Sequence, residues 1–278
     1  MRDRITGIAA AIGAALAFAL APSPAAAQDT AAAQAYAPPK TANGLPDLQG
    51  IWQVMNTAAE DLESHPARKG VPAGLSVVEG DKIPYLPAAA AKKKENYGKS
   101  QTANPLDFNS AADPLAKCLF PGVPRITYLP HPFQIFEFQD QVVIVYEYLH
   151  LTRFVFMDPA PAPAADVIDF YMGYSRGKWE GNTLVVDNTN FNEETWFDKA
   201  GNFHSDALHV VERFTRIGPE TMTYDVTIED PKVFSRPWKM SMPLYRRQEK
   251  SARLLEYECY DFRENELSRA EESARKSK

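Results

Sequence analysis

The stretch Asn192–Arg213 holds most of the side chains in this sequence that could carry out acid–base chemistry. The polar and aromatic side chains within it are Trp196, Asp198, His204, Ser205, Asp206, His209, Glu212 and Arg213. Carboxylates and imidazoles transfer protons near neutral pH when their surroundings shift their pKa values. The pattern is that of a loop followed by a strand, which predicts a site where loop and strand meet.

Glu212 occupies an unusual position in the predicted strand. Because alternate side chains of a strand share a face, Glu212 lies on the same face as the apolar Val210 and Phe214. A carboxylate on a buried face needs a partner or a raised pKa. We therefore predict Glu212, with His204 and Asp198 from the loop, as the catalytic residues. The alternative is that Glu212 pairs with an arginine across strands and fixes their register.

A second polar cluster interrupts the aromatic strands nearer the N-terminus. It consists of Tyr146, Glu147, Tyr148, His150 and Arg153. Glu147 and Arg153 have the same strand parity, so both are expected to face the interior that Glu212 faces. An arginine beside carboxylates can anchor an anionic or polyhydroxylated ligand. The predicted ligand-binding residues are Arg153, Glu147, Tyr146, Trp196 and Arg213; the alternative is an Arg–Glu ladder between strands.

Two motif matches do not fit the chemistry they suggest. Gly173–Gly177 (GYSRG) matches the nucleophile motif G-x-S-x-G, but it leads into a hairpin and not a helix, so Ser175 is not assigned as a nucleophile. His204, His209 and Glu212 lack the helical spacing of a zinc site, and the last two fall on opposite strand faces. We predict neither a metal nor a cofactor.

Short β-type segments must position these residues. Runs rich in Val, Ile, Phe and Tyr begin after Pro132, and several alternate apolar and polar side chains. A hairpin is predicted through Glu180-Gly181-Asn182. The other predicted strands are 134–138, 142–149, 152–157, 207–216, 222–229, 238–246 and 254–261. An antiparallel meander must either cover its edge strands or close on itself. We therefore predict a mainly β fold in which one antiparallel meander closes into a lipocalin-like β-barrel. An open β-sandwich is the alternative.

The N-terminus has the parts of a secretory signal peptide in order. Arg2 and Arg4 precede an apolar run that ends at Leu20, and small residues follow up to Ala27. The run is too short for a membrane span, and no second one follows. We expect a periplasmic or secreted protein, cleaved near Ala27. The predicted organisation is a signal peptide (1–27), a disordered lead-in (28–46), a loop-rich arm (47–116) with a short helix (87–100), the barrel (117–262) and a charged tail (263–278).

The cysteines and the charge balance narrow the protein class further. Cys118 and Cys259 are the only cysteines, and in an oxidising compartment they predict one disulfide, with two buried free thiols as the alternative. The chain has 30 basic and 36 acidic side chains, a net charge of −6. No basic stripe exists beyond Lys92–Lys94, which argues against nucleic acid as a partner. The oligomeric state is not predicted.

Four segments resemble a widespread, uncharacterised family of exported bacterial proteins. They are 178–191 (KWEGNTLVVDNTNF), 203–213 (FHSDALHVVER), 230–243 (DPKVFSRPWKMSMP) and 118–125 (CLFPGVPR). The resemblance covers residues 45–262 and implies export and the extent of the domain, but no reaction. Where some members carry Cys-His-Glu-Gly, this chain has Cys259–Phe262 (CYDF).

Taken together, these features predict an exported β-barrel that binds a small organic molecule. Glu and His in the barrel would add cofactor-free acid–base chemistry of the lyase, isomerase or hydratase type. One alternative is a non-catalytic periplasmic carrier of a hydrophobic ligand. The other is an envelope interaction module that docks through the arm.

Overall fold

The computed structural model describes residues 36–68, 70–102, 112–158, 160–164 and 168–276. The predicted signal peptide and most of the lead-in therefore lie outside the described residues. Residues 36–46 of the lead-in include an isolated bridge between Lys40 and Pro46. Within the described ranges, no helix is long and apolar enough to cross a membrane.

Nine strands form a closed barrel in sequence order. They are β1 (Gly50–Gln53), β2 (Phe133–Glu137), β3 (Gln141–Tyr146), β4 (Thr152–Phe156), β5 (Tyr174–Glu180), β6 (Thr183–Thr189), β7 (His209–Arg216), β8 (Thr221–Glu229) and β9 (Trp238–Arg246). The predicted mainly β class and closed barrel are confirmed, and the open sandwich is not formed. One pairing departs from the antiparallel meander, because β4 and β5 run parallel.

The first strand comes from the segment predicted as an arm. β1 pairs with β2 and with β9, so the barrel begins at Gly50. The β1–β9 seam, the line along which the sheet closes, is only two residue pairs long. Beside it, Val78 forms a bridge with Met240, and the Glu79 amide donates a 2.9 Å hydrogen bond to the Lys239 carbonyl. The arm therefore completes the barrel wall.

Strand side chains alternate between the barrel interior and its outside. Every second residue of β7, β8 and β9 is buried, as the period-two pattern of the sequence predicts. Predicted strand 142–149 is shorter than expected: β3 ends at Tyr146, and a 3₁₀ turn follows at Tyr148–His150. Leu149 and His150 in this turn have positive φ angles, which a strand cannot contain.

The prediction of a strand at 254–261 is wrong. Residues 254–258 have no regular structure, and helix α2 spans Cys259–Lys276. The barrel offers no edge for a further strand, because β9 already pairs with β8 and β1. The predicted surface helix is present as α1, Pro87–Thr102, and most of its residues are exposed.

One end of the barrel is covered by loops, which we call the cap: the described residues 112–131, 190–208 and 230–237. Trp238, at the start of β9, meets the rings of Phe197 and Phe234 at centroid distances of 5.9 and 5.5 Å. The Tyr128 hydroxyl donates a 2.7 Å hydrogen bond to the Phe197 carbonyl, which ties two cap segments together. The cap therefore closes this end with aromatic packing.

The predicted disulfide between Cys118 and Cys259 is confirmed, and the alternative of two free thiols is excluded. It links the cap to the start of α2. A disulfide that closes a loop of this length fits an extracytoplasmic location, because reducing compartments keep thiols free.

Candidate functional site

Arg153 and Glu212 form an ion pair inside the barrel. The Arg153 Nη1 donates to Glu212 Oε1 at 3.2 Å, and its Nη2 contacts Oε2. Both side chains are buried, with Glu212 0 % exposed. Arg153 lies on β4 and Glu212 on β7, with β5 and β6 between them in the wall. Glu212 is thus paired with an arginine, as the alternative to a catalytic role predicted, but the pair crosses the interior and does not join neighbouring strands.

Three more inward side chains complete what we call the barrel network: Ser175 on β5, Asn188 on β6 and Tyr224 on β8. Arg153 Nε donates to Ser175 Oγ at 2.9 Å. Glu212 accepts from Asn188 Nδ2 at 2.9 Å and from the Tyr224 hydroxyl at 2.6 Å. Five successive strands, β4 to β8, thus supply one side chain each. Ser175 Oγ in turn donates to Asn188 Oδ1 at 2.7 Å.

Two further groups lie against the network on the cap side. The Tyr146 hydroxyl is 3.5 Å from Thr127 Oγ1, and Thr127 belongs to the buried 3₁₀ turn Arg125–Tyr128. Burial raises the pKa of Tyr146, and it raises the pKa of Tyr224 well above its ordinary value, with the Glu212 carboxylate adding to the effect. Both phenols therefore stay protonated at neutral pH and act as hydrogen-bond donors.

Arg153 stays charged in this interior. Burial alone would lower its pKa, but the adjacent Glu212 carboxylate, together with Tyr146 and Tyr224, raises the pKa above its ordinary value. The guanidinium consequently balances the carboxylate charge. A ligand that meets the network therefore meets hydrogen-bonding groups with little net charge.

Glu147 does not share this interior. The strand parity that predicted its inward position ends at Tyr146, where β3 stops. Its Oε2 accepts a 2.8 Å hydrogen bond from the Leu255 amide, and its Oε1 lies 3.6 Å from His131 Nδ1. Glu147 therefore holds the segment before α2 at the rim of the barrel.

The rim contains two buried polar atoms that have no hydrogen-bond partner within the described chain: the Tyr148 hydroxyl and Arg125 Nε. The Tyr148 ring packs beside His131 and Tyr257, at centroid distances of 5.6 and 5.4 Å. Burial raises the pKa of Tyr148, and Arg125 opposes the shift, so the two lie within electrostatic reach. We call Arg125, His131, Tyr148 and Tyr257 the rim cluster. Unsatisfied buried polar atoms are rare and mark places for water or a ligand.

His204 lies in the cap, 2 % exposed. Its Nδ1 is 2.9 Å from the Ser205 carbonyl, which can only accept, so Nδ1 carries the proton. Its Nε2 then accepts from the Thr195 hydroxyl at 2.6 Å. Burial lowers the pKa of His204, so the ring is neutral. Both nitrogens are thus used within the cap.

Asp198 is also fully buried in the cap. It accepts from the Leu62 amide at 2.9 Å and from both nitrogens of Asn202, which joins the arm to the cap. Burial and the neighbouring Asp61 raise its pKa to about 7. In the described chain no hydrogen bond connects Asp198 or His204 with the barrel network.

The two remaining predicted ligand-binding residues lie apart from the network. The Trp196 carbonyl accepts a 3.4 Å hydrogen bond from Arg125 Nη1, so its main chain supports the rim cluster. Arg125 is otherwise paired with Asp113 at 2.8 and 2.7 Å. Arg213 points outward from β7 and donates to Glu180 at 2.9 Å. Arg213 thus lies on the opposite face of β7 from Glu212.

Sequence reasoning missed three of the five network residues as functional candidates. Tyr224 had a usable signal, because the alternation of β8 places it on the inward face with Met222 and Val226. Asn188 and Ser175 also fall at buried strand positions, where polar side chains need partners. Arg125 lies in a segment without strand or helix periodicity, so no sequence pattern marked it as a functional candidate.

No protein-family model matches this chain, and no curated protein matches it. The functional argument therefore depends on the barrel network, the rim cluster and the cap.

Proposed function

We propose that this chain is an exported β-barrel protein that binds a small organic molecule, which the barrel network recognises. The observation that carries the proposal is the ion pair at the centre of the barrel. Removing two charges from water costs several kcal/mol per ion, and well-packed hydrocarbon in their place is often neutral or stabilising. Stability therefore gives little reason for an ion pair here, whereas ligand recognition does.

In this proposal the ligand enters from the cap side, and the cap segments open to admit it, because they pack over that end of the barrel. Tyr146, Tyr224 and Thr127 bring their hydroxyls together beneath the 3₁₀ turn Arg125–Tyr128. The unpartnered Tyr148 hydroxyl and Arg125 Nε lie at the rim. Because the network charges balance each other, we propose a neutral ligand with carbonyl or hydroxyl groups.

Acid–base catalysis is the second candidate function, and the 2.6 Å hydrogen bond between Tyr224 and Glu212 favours it. In this scheme Glu212 takes a proton from one atom of the ligand and returns it to another, and the Tyr224 hydroxyl positions the carboxylate, which suits a cofactor-free lyase, isomerase or hydratase. His204 and Asp198 have no bond to the network, so we assign them to the cap. A non-catalytic carrier would use the same site without turnover.

The interaction-module alternative gains no support from the arm. The described part of the arm contributes β1 and contacts β9, so it belongs to the barrel wall. Buried arm residues such as Leu62 and Val78 have their apolar surface in the core. A docking surface would instead leave such side chains outside.

We further infer that residues 1–27 are a signal peptide and that the mature chain is periplasmic or secreted. The disulfide supports this inference. We also infer that the chain belongs to the exported bacterial family that its motifs resemble. Three of those motifs supply Asn188, Glu212 and Arg125, which lie in the barrel network and the rim cluster.

Removing the Tyr224 hydroxyl is expected to weaken ligand binding without changing the fold. A thermal-shift screen of neutral carbonyl and hydroxyl compounds, with native mass spectrometry of the purified protein, would first supply a ligand. For Tyr224→Phe we expect the dissociation constant to rise about tenfold, since one buried hydrogen bond is lost. The control is Tyr174→Phe, whose ring stacks on Phe156 at the outer face. Equal affinities in both variants, or no ligand at all, would refute the proposal.

Catalysis is tested by Glu212→Gln, which keeps the shape of the side chain but cannot accept a proton. If Glu212 is the general base, product formation from the bound ligand should fall by about 10²–10⁴-fold. Binding measured by calorimetry shows whether the variant still holds the ligand. A wild-type protein that binds the ligand and never converts it is a carrier, and the catalytic proposal would then be abandoned.

A further inference from the structure

Residues 254–258, which we call the strap, have no regular structure and lead along the rim of the barrel into α2. Two hydrogen bonds join the strap to the residues that follow β3. The Leu255 amide donates to Glu147 Oε2 at 2.8 Å, and the Tyr257 carbonyl accepts from the Leu149 amide at 3.1 Å. Each such bond contributes little net stability, and the first is exposed, so these bonds hold the strap weakly.

The side chains at the two ends of the strap add little to these bonds. Leu255 is 60 % exposed, so it buries little apolar surface. Glu258 Oε1 lies 3.0 Å from His150 Nδ1, but both side chains are largely exposed, and surface pairs of this kind are weak. The firm tether of the strap is covalent, because Cys259, the next residue, is bonded to Cys118 of the cap.

The strap covers a polar group that has no partner. The centroid of the Tyr257 ring lies 4.4 Å from that of His131 and 5.4 Å from that of Tyr148. Tyr148 is 4 % exposed, and its hydroxyl makes no hydrogen bond within the described chain. A buried hydroxyl without a partner destabilises the state that buries it. The closed position of the strap therefore has a cost that is removed when water reaches this hydroxyl.

We propose that the strap is a redox-controlled gate over the rim cluster, which the Cys118–Cys259 disulfide holds closed and a dithiol reductant opens. One thiolate of the dithiol attacks the sulfur of Cys259, which is partly exposed, whereas Cys118 is buried. A mixed disulfide forms, and Cys118 leaves as a thiolate. The second thiolate of the reductant then displaces Cys259. Two electrons and two protons pass from the dithiol to the two cysteines, and the dithiol becomes a disulfide.

The gate controls the end of the barrel where the cap lies. The disulfide joins the strap to the cap segment 112–131, which also contains Arg125 with its unpartnered Nε. Reduction thus frees the strap on the side from which the ligand enters in the proposed function. The inference rests on that function for its purpose, but the opening is measured without a ligand. Failure of the strap to open and failure of the barrel to bind a ligand are therefore distinguishable.

Hydrogen exchange followed by mass spectrometry tests the opening on the oxidised protein and on the protein reduced with dithiothreitol. After reduction we expect the amides of Leu149 and Leu255 to exchange at least about tenfold faster, while β7, β8 and β9 keep their rates. Oxidised Glu258→Gln is the control, because it removes only the exposed ion pair, and it should exchange like the oxidised wild type. Unchanged exchange at Leu149 and Leu255 after reduction, or faster exchange throughout the barrel, would overturn the proposal.

A second variant tests the buried hydroxyl. Tyr148→Phe removes this hydroxyl and no hydrogen bond of the described chain, so it stabilises the closed strap. In the reduced protein we expect it to slow exchange at Leu149 and Leu255 by about fivefold relative to the reduced wild type. Tyr174→Phe changes a tyrosine on the outer face and should leave both rates as they are. Exchange in reduced Tyr148→Phe as fast as in the reduced wild type would contradict the proposed gate.

Access to the rim is tested with tetranitromethane, a small neutral reagent that nitrates accessible tyrosines. The variant Cys118→Ala/Cys259→Ala represents the open form and has no thiol that the reagent could oxidise. Tyr148 should be nitrated at least about tenfold faster in this variant than in the oxidised wild type, as peptide mapping would show. Tyr128, which is buried and bonded to the Phe197 carbonyl, should stay unreactive in both. Equal nitration of Tyr148 in the two proteins would mean that the disulfide does not control access.

Discussion

Arg153→Met is expected to lower the free energy of unfolding by about 3–5 kcal/mol. The substitution leaves the Glu212 carboxylate in the barrel interior without its cation, with only the Tyr224 hydroxyl and the Asn188 amide to stabilise it. Urea denaturation followed by circular dichroism measures the loss. Arg213→Met is the matched control, because Arg213 is an exposed arginine on the outer face, and its loss should be within about 0.5 kcal/mol.

The double variant Arg153→Met/Glu212→Leu should recover at least half of that loss. With the carboxylate gone, no charge remains unpaired, and the new side chains fill the space with hydrocarbon. Asn188 keeps its bonds to the carbonyls of Val186 and Val210, whereas the Tyr224 hydroxyl loses its Glu212 acceptor, which is one reason to expect partial and not full recovery. A double variant that is less stable than Arg153→Met alone would show that the ion pair is needed for the fold.

The same double variant separates stability from function. If it folds well and no longer binds the ligand that the wild type binds, the ion pair serves recognition. If it folds well and binds as before, the barrel network is not the binding site. The two results are distinguished by running the thermal-shift screen on both proteins at equal concentrations.

The second large effect is a dependence of stability on pH through Asp198. Its pKa in the folded protein is about 7, against 3.8 for an unperturbed aspartate, so folding favours the protonated form. The resulting stabilisation is complete below about pH 4 and is lost as the pH rises through 7. A shift of about three units corresponds to about 4 kcal/mol.

Asp198→Asn does not titrate and should lack this dependence. The stability of the wild type relative to the variant is therefore expected to fall by up to about 4 kcal/mol between pH 4 and pH 8, as urea denaturation at each pH would show. Asp187→Asn is the control for the substitution itself, because Asp187 is partly exposed on the outer face. A constant difference between the wild type and Asp198→Asn would contradict the raised pKa.

Strand periodicity was enough to predict the barrel and the inward positions of both ion-pair residues, but not that the two side chains meet. Alternation placed Glu212 inward on β7 and Arg153 inward on β4, and both are buried. It failed for Glu147, because the strand stops one residue earlier and the 3₁₀ turn changes the direction of the chain. Periodicity holds only while a strand lasts, and strand ends are set by pairing partners that lie far away in sequence.

The partners of the predicted residues could not be derived in the same way. Which inward side chains meet across the barrel depends on strand order and stagger, and these follow from closure of the whole sheet. His204 and Asp198 were correctly placed in a loop, but the cap that buries them forms from three separate segments. The strand predicted at 254–261 failed because the pairing of β1 with β9 removes the edge it would need.

The seam between β1 and β9 bears on how the chain is made. Its two sides come from the beginning and the end of the barrel sequence, so a ribosome has released nearly all of the domain before the wall can shut. Until then the nascent chain exposes strand edges and apolar surface, which favour aggregation. The wall can therefore close only once β9 has been made.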